Sequence, residues 1–91
     1  VDLVGRSVDV GQRELRLSYQ EFELLAEFIR HLGIPLSREF LIARVWGNQD
    51  LISSRTVDVH VRWLRQKIED DPANPRQIVT IRGVGYRFNP G

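Results

Sequence analysis

The stretch Ser54-Arg-Thr-Val-Asp-Val-His-Val-Arg-Trp-Leu-Arg-Gln-Lys-Ile68 decides the fold of this 91-residue chain. At roughly 100° per residue, Val57, Val61, Leu64 and Ile68 fall within about 60° of one another, which predicts a helix held by one narrow apolar face against a core. Ser53 or Ser54 is available as its cap. Pro72 and Pro75 close it, so the helix is expected over about 54–70. The opposite side collects Arg55, Val59, Arg62, Trp63 and Gln66. A solvated face has no need of a valine and a tryptophan four residues apart. Arg55, Arg62, Arg65 and Lys67 stand against Asp58 alone, leaving the segment at +3. Guanidinium forks suit phosphates and guanine edges, and apolar groups suit sugars and thymine methyls, so this face reads as a duplex-contacting surface.

Each of these residues has a plainer reading. Arg62 follows Asp58 by four residues and could be half of a surface ion pair. Trp63 could fold back over the domain edge, and Arg65, on the flank, could lay its stem along the core boundary. His60 borders the apolar stripe and reads as a hydrogen-bonded boundary residue.

After this helix, Ile78-Val-Thr-Ile-Arg82 and Tyr86-Arg-Phe88 are two strands joined through Gly83-Val-Gly85, a β-hairpin with a glycine tip. Arg82 stands at the base of that tip, where an arginine is placed to enter a narrow minor groove. Thr80 is a candidate phosphate donor. The plain alternatives are an ordinary exposed arginine and a strand threonine. Gly83-Val-Gly85 lacks the third glycine of a dinucleotide fingerprint and lies between strands, so it is a turn.

Before the deciding helix, residues 38–46 predict a short helix with Leu41, Ile42 and Val45 inward, capped by Ser37 and ended by Gly47. Ile34-Pro-Leu-Ser37 reads as an extended link. Earlier still, Ser18-Tyr-Gln-Glu21 is a capping box, and Phe22, Leu25, Ala26, Ile29 and Leu32 follow at helical spacing until Gly33 and Pro35. This helix is expected to be a scaffold with its acids outward. Arg6–Val10 and Arg13–Leu17 alternate as strands around Gly11-Gln12, with Val8, Val10, Leu15 and Leu17 on the buried face. The whole is an α+β winged helix-turn-helix: an N-terminal antiparallel sheet, three helices and a C-terminal hairpin wing, forming one domain over 1–91.

Composition narrows the function. Thirteen basic and twelve acidic residues give +1, but residues 1–33 hold four cations against six acids and residues 34–91 hold nine against six. Twelve of the thirteen cations are arginine, the residue suited to nucleic acid. Absence of cysteine excludes a disulfide framework, a zinc finger and a thiol nucleophile. Two histidines alone make no structural metal site, and no metal or cofactor is expected. The apolar run Phe40–Ala43 is far short of the roughly 20 residues that span a bilayer, so no membrane partner is expected. Asp58 and His60 point apart on the helix and lack a third partner, so no catalytic constellation is present. Beginning at Val1 rather than methionine, the chain is expected to be a piece of something longer.

Six stretches together resemble the DNA-binding effector domains of OmpR/PhoB-type bacterial response regulators. They are Leu17-Ser-Tyr-Gln-Glu-Phe-Glu-Leu-Leu25, Ser37-Arg-Glu-Phe-Leu41, Val45-Trp-Gly47, Arg55-Thr-Val-Asp-Val-His-Val-Arg62, Leu64-Arg-Gln-Lys67 and Thr80-Ile-Arg-Gly-Val-Gly-Tyr-Arg-Phe88. The resemblance implies a four-stranded N-terminal sheet, the 54–70 helix in the major groove and the 78–88 wing in the adjacent minor groove. It implies a cytoplasmic transcription regulator in a two-component phosphorelay, binding as a tandem pair on direct repeats after phosphorylation of a receiver domain not contained in these residues. Carried over by position, Arg55, His60 and Arg65 would contact phosphates, Trp46 would reach the backbone, and Thr80 and Arg82 would be wing contacts. Arg62 would face the groove. The loop 48–54, with Asn48, Gln49, Asp50 and Leu51, would touch RNA polymerase.

One position departs from the resemblance. Where some members of that family carry an arginine at the base edges, this chain has Trp63. Its single indole N–H limits polar readout and suggests apolar contact with a sugar or thymine methyl. The competing function is a protein-interaction winged helix that docks a partner on Val59 and Trp63. Salt separates the two, because only a DNA binder loses affinity steeply through counterion release.

Overall fold

A computed structural model describes residues 2–4, 7–10, 13–47 and 52–89, with side chains from Arg16 onward. Three short strands come first, β1 (Asp2–Val4), β2 (Ser7–Val10) and β3 (Arg13–Arg16), hydrogen-bonded in the antiparallel order β1-β2-β3. Val8 lies opposite Leu15 and Val10 opposite Arg13, the register expected of a hairpin around Gly11-Gln12. Those two loop residues, and the side chains of Val8, Val10 and Leu15, fall outside the described set, whereas Leu17 is buried as expected. The implied four-stranded sheet is three-stranded among the described residues.

Helix α1 (Tyr19–Arg30) starts at the predicted capping box: the Ser18 hydroxyl accepts from the Glu21 amide at 3.2 Å and Glu21 Oε1 accepts from the Ser18 amide at 2.8 Å. Its buried face is turned relative to the expected stripe. Leu24, Leu25, Ala26 and Phe28 are buried, Phe22 and Ile29 only partly, and Leu32 stands 48% exposed past the helix end. The expectation that the acids point outward is also corrected. Glu21 and Glu27 are both only 3% exposed. They are tolerated inside because each meets cations: Lys67 donates to Glu21 at 2.5 Å, and Arg30 and Arg44 reach Glu27 at 2.7 and 3.1 Å.

What reads as an extended link contains β4 (Leu36–Ser37), two residues too few to show any alternation. Ser37 then caps α2 (Arg38–Leu41), accepting from the Phe40 amide at 3.0 Å. The helix predicted over 38–46 widens midway into a π-helical turn at Ile42–Trp46, with Leu41, Val45 and Trp46 buried and Ile42 packed at the core edge.

Helix α3 (Ser54–Ile68) carries its predicted stripe inward, with Val57, Val61, Leu64 and Ile68 all buried. It ends two residues before the expected Asp70. Glu69 leaves helical geometry because its carboxylate accepts from the amides of Arg76, Gln77 and Ile78 at 2.8–3.2 Å. That carboxylate joins the end of α3 to the start of β5 (Ile78–Ile81), which pairs with β6 (Gly85–Phe88). The second sheet runs β4-β6-β5. Gly85 faces Ser37, and a Cβ there would overlap the Leu36 carbonyl oxygen, so only glycine lets β4 lie this close. The core is the meeting of α1, α3 and this sheet, with Phe28 stacked on Phe88 at 6.2 Å.

Candidate nucleic-acid interface

Because α3 is clamped by its inner stripe, the residues on its other side stand in fixed positions. Arg55, Arg62, Trp63 and Gln66 are exposed, and Val59 and His60 are half-buried between the two sides. Trp63 is 45% exposed and does not fold back into the core. Arg62 does not pair with Asp58. Asp58 Oδ1 instead accepts from Arg38 Nε at 2.7 Å and from the Tyr86 hydroxyl at 2.5 Å. Arg55, Arg62 and Arg82 form no side-chain hydrogen bond or ion pair with any described residue.

Arg65 behaves differently. Its Nε and Nη2 donate to the Ile78 carbonyl at 3.0 and 2.8 Å, and Nη2 also donates to Thr80 Oγ1 at 2.9 Å. The side chain is turned onto the hairpin, in keeping with the flank reading. Burial lowers its pKa from the ordinary arginine value, partly offset by Tyr86, Glu69 and Asp58. Thr80 accepts from Arg65 and keeps its own hydroxyl proton free to donate outward. Tyr86 lies between two guanidinium groups, Arg38 at 5.1 Å and Arg65 at 5.4 Å from its ring centre. Burial, then the hydrogen bond to Asp58, raises the Tyr86 phenol above its usual pKa, while that same Asp58 raises Arg38.

The aromatic residues form a second group. Trp46 is buried, 8% exposed, and its ring meets His60 at 5.0 Å and 76°. His60 also meets Trp63, at 4.9 Å and 61°. His60 Nδ1 donates to the Thr56 carbonyl at 2.8 Å, so the boundary-residue reading holds and the ring is locked. Arg82 occupies the first residue of the turn after β5 rather than the strand itself, and is exposed. The turn closes with the Val84 amide on the Ile81 carbonyl at 3.0 Å, and Gly83 takes φ +79° there. Asn48, Gln49, Asp50 and Leu51 lie outside the described residues.

The structure thus brings Arg65 to Thr80, and Trp46 and Trp63 to His60, while leaving Arg55, Arg62 and Arg82 without a described partner. Sequence reasoning missed Arg38, Tyr86 and Glu69 as the residues that fix the wing to α3. No local pattern marks them, since their partners sit seven to twenty-eight positions away. The one available signal was Asp58, an acid among four cations. Among the described residues no cluster of three metal-ligating side chains occurs, and no helix is long and apolar enough to cross a membrane.

Comparison with known proteins identifies the family that shares this fold. Residues 12–88 match the family described as "Transcriptional regulatory protein, C terminal". The chain is 51% identical over 79 residues to the alkaline phosphatase synthesis transcriptional regulatory protein SphR of Synechococcus elongatus, covering 87% of this chain and 31% of the relative. It is 45% identical over 88 residues to the sensory transduction protein RegX3 of Mycolicibacterium smegmatis, covering 97% of this chain and 39% of that one. The chain therefore spans between 31% and 39% of the length of these curated relatives. Among solved structures, the DNA-binding domain of Klebsiella pneumoniae RstA in complex with the RstA box superposes with a TM-score of 0.84 at 35% identity, covering 99% of this chain and 89% of that one. DrrB, a Thermotoga maritima OmpR/PhoB homologue, gives 0.78 at 38% identity over 86% of this chain and 35% of its own. The chain belongs to the OmpR/PhoB-type transcriptional regulatory proteins, as their C-terminal winged-helix DNA-binding domain.

Proposed function

We propose that this domain binds duplex DNA sequence-specifically to regulate transcription, with α3 in the major groove and the β5–β6 hairpin in the adjacent minor groove. The observation that carries the reading is the exposed pair Arg55 and Arg62 on the outer face of α3, without a partner among the described residues and next to exposed Trp63, with Asp58 already held by Arg38 and Tyr86. Positive charge left uncompensated on a rigid helix face suits a phosphate lattice. On this reading Arg55, Arg62 and Gln66 meet the major groove, Thr80 donates to a phosphate, and Arg82 enters the minor groove. Arg65 acts mainly by fixing the wing's angle to α3.

The remaining partners rest on the family. A receiver domain elsewhere in the same protein would bring two copies together on direct repeats within a phosphorelay. The loop 48–54 would contact RNA polymerase, and the setting would be the cytoplasm, where the chromosome is. Residues 1–91 would act as one folded unit in that assembly, without catalytic activity of their own.

Fluorescence anisotropy of a labelled duplex across a salt series tests the reading. Affinity is expected to fall linearly on log–log axes, and Arg62→Ala and Arg82→Ala should each reduce the slope by about 1 with an unchanged circular dichroism spectrum. Absence of binding at low salt with the fold intact would transfer the Val59 and Trp63 face to a protein partner.

A further inference from the structure

The outer face of α3 holds one residue whose chemistry does not match its cationic neighbours. Trp63 is large, apolar and 45% exposed in the middle of an arginine-flanked surface. It is not a loose side chain. His60 packs against it edge-on at 4.9 Å, and His60 is itself pinned by its hydrogen bond to Thr56 and by Trp46 behind it at 5.0 Å. Trp46 is rooted in the core. Three rings thus run in contact from the core to the surface, and the outermost is presented already oriented. A contact group ordered before binding loses little rotamer freedom when it binds.

An indole offers one N–H donor and a broad apolar surface. On the major-groove edges of the four base pairs, the apolar feature such a surface can meet is the thymine C5 methyl. Val59, one turn earlier on the same side, widens the apolar patch, and Arg62 beside it supplies the attraction to phosphate that a duplex requires. The charge of the surface therefore argues for DNA as the occupant of this apolar spot.

We infer that Trp63 is a specificity-determining residue that reads a thymine methyl in the major groove, held in place by His60 and Trp46. The inference rests on the DNA-binding reading above and adds which base it selects and how. His60 is a positioning residue in this scheme, acting through Trp63.

The test uses a duplex selected by this chain from random sequence, with each thymine replaced in turn by uracil, which removes the methyl and leaves base pairing intact. The wild-type chain is expected to lose roughly three- to fivefold in affinity at one or two positions, the worth of one buried methyl group. Trp63→Ala should bind thymine and uracil duplexes equally at those positions, and Trp63→Phe should keep part of the discrimination. His60→Ala should shrink the thymine-to-uracil ratio there without abolishing salt-dependent binding. Salt-dependent binding with a flat uracil series, or a ratio identical in wild type and Trp63→Ala, overturns the role of Trp63 and leaves the DNA reading standing. A wild-type chain that selects no duplex at all overturns both.

Discussion

Two sets of cations lie within a few turns of each other and do different work. Arg38, Arg65 and Lys67 are each bound to a partner from another element: Asp58, the Ile78 carbonyl with Thr80, and Glu21. Arg55, Arg62 and Arg82 have no such partner among the described residues. The first set joins α1, α2 and the wing to α3, and the second is the set proposed to face DNA. Counting charge alone gives α3 four cations, yet the fold has already engaged two of them. In a salt titration α3 should accordingly contribute about two phosphate contacts, from Arg55 and Arg62, rather than the four its cation count suggests.

Breaking the joining set should cost stability first. The largest effect is expected at Glu69, 6% exposed, whose carboxylate is shared by three backbone amides. Glu69→Ala strands those amides and should lower unfolding free energy by about 3–4 kcal/mol in a urea titration. Next comes a pair of matched substitutions that keep charge. Arg65→Lys loses the fork on Ile78 and Thr80 and should destabilise by about 1–2 kcal/mol, whereas Arg62→Lys should change stability by less than about 0.5 kcal/mol. Equal effects at the two positions would erase the distinction between the sets.

The smallest effect is a slope in acid. Burial by itself would raise the Glu21 pKa, but the Lys67 ammonium and the Ser18 amide together bring it below the ordinary carboxylate value. A depressed folded-state pKa contributes stability that is complete above the unfolded value, near ~4.3, and is lost as pH falls through the folded one. Stability should therefore decline below about pH 4.3, and Glu21→Gln should flatten that part of the curve.

How much of this was legible in the sequence follows from the range of each interaction. The inner stripe of α3, the Ser18 and Ser37 caps and the hairpin register are local, repeating or bounded by turn residues, and all were readable. Two-residue β4 and three-residue β1 carry no period. The widening of the second helix at Ile42–Trp46 changes the pitch without changing the apolar composition. Glu21 and Glu27 look like surface acids until Lys67 and Arg44 arrive from elsewhere in the fold. The exposed position of Trp63 was readable from helix geometry, but the brace behind it was not, because Trp46 lies seventeen residues before Trp63 and enters from a different element. Likewise, nothing near Arg65 announces that it belongs to the joining set while Arg62 does not.

The amide cluster around Glu69 fixes the foot of β5, and the crowded approach of Gly85 to Leu36 pins β6 where it leaves the turn, whereas Arg82 and Val84 in the turn itself are exposed and the turn is closed by the Val84 amide on the Ile81 carbonyl. The wing is therefore built like a tool with a permanent handle and an exchangeable bit. Around the left-handed Gly83, new side chains or a longer tip can be installed without disturbing the handle. On the proposed reading, in which the wing enters the minor groove, its preference there can drift, or be engineered, independently of both the fold and the α3 face.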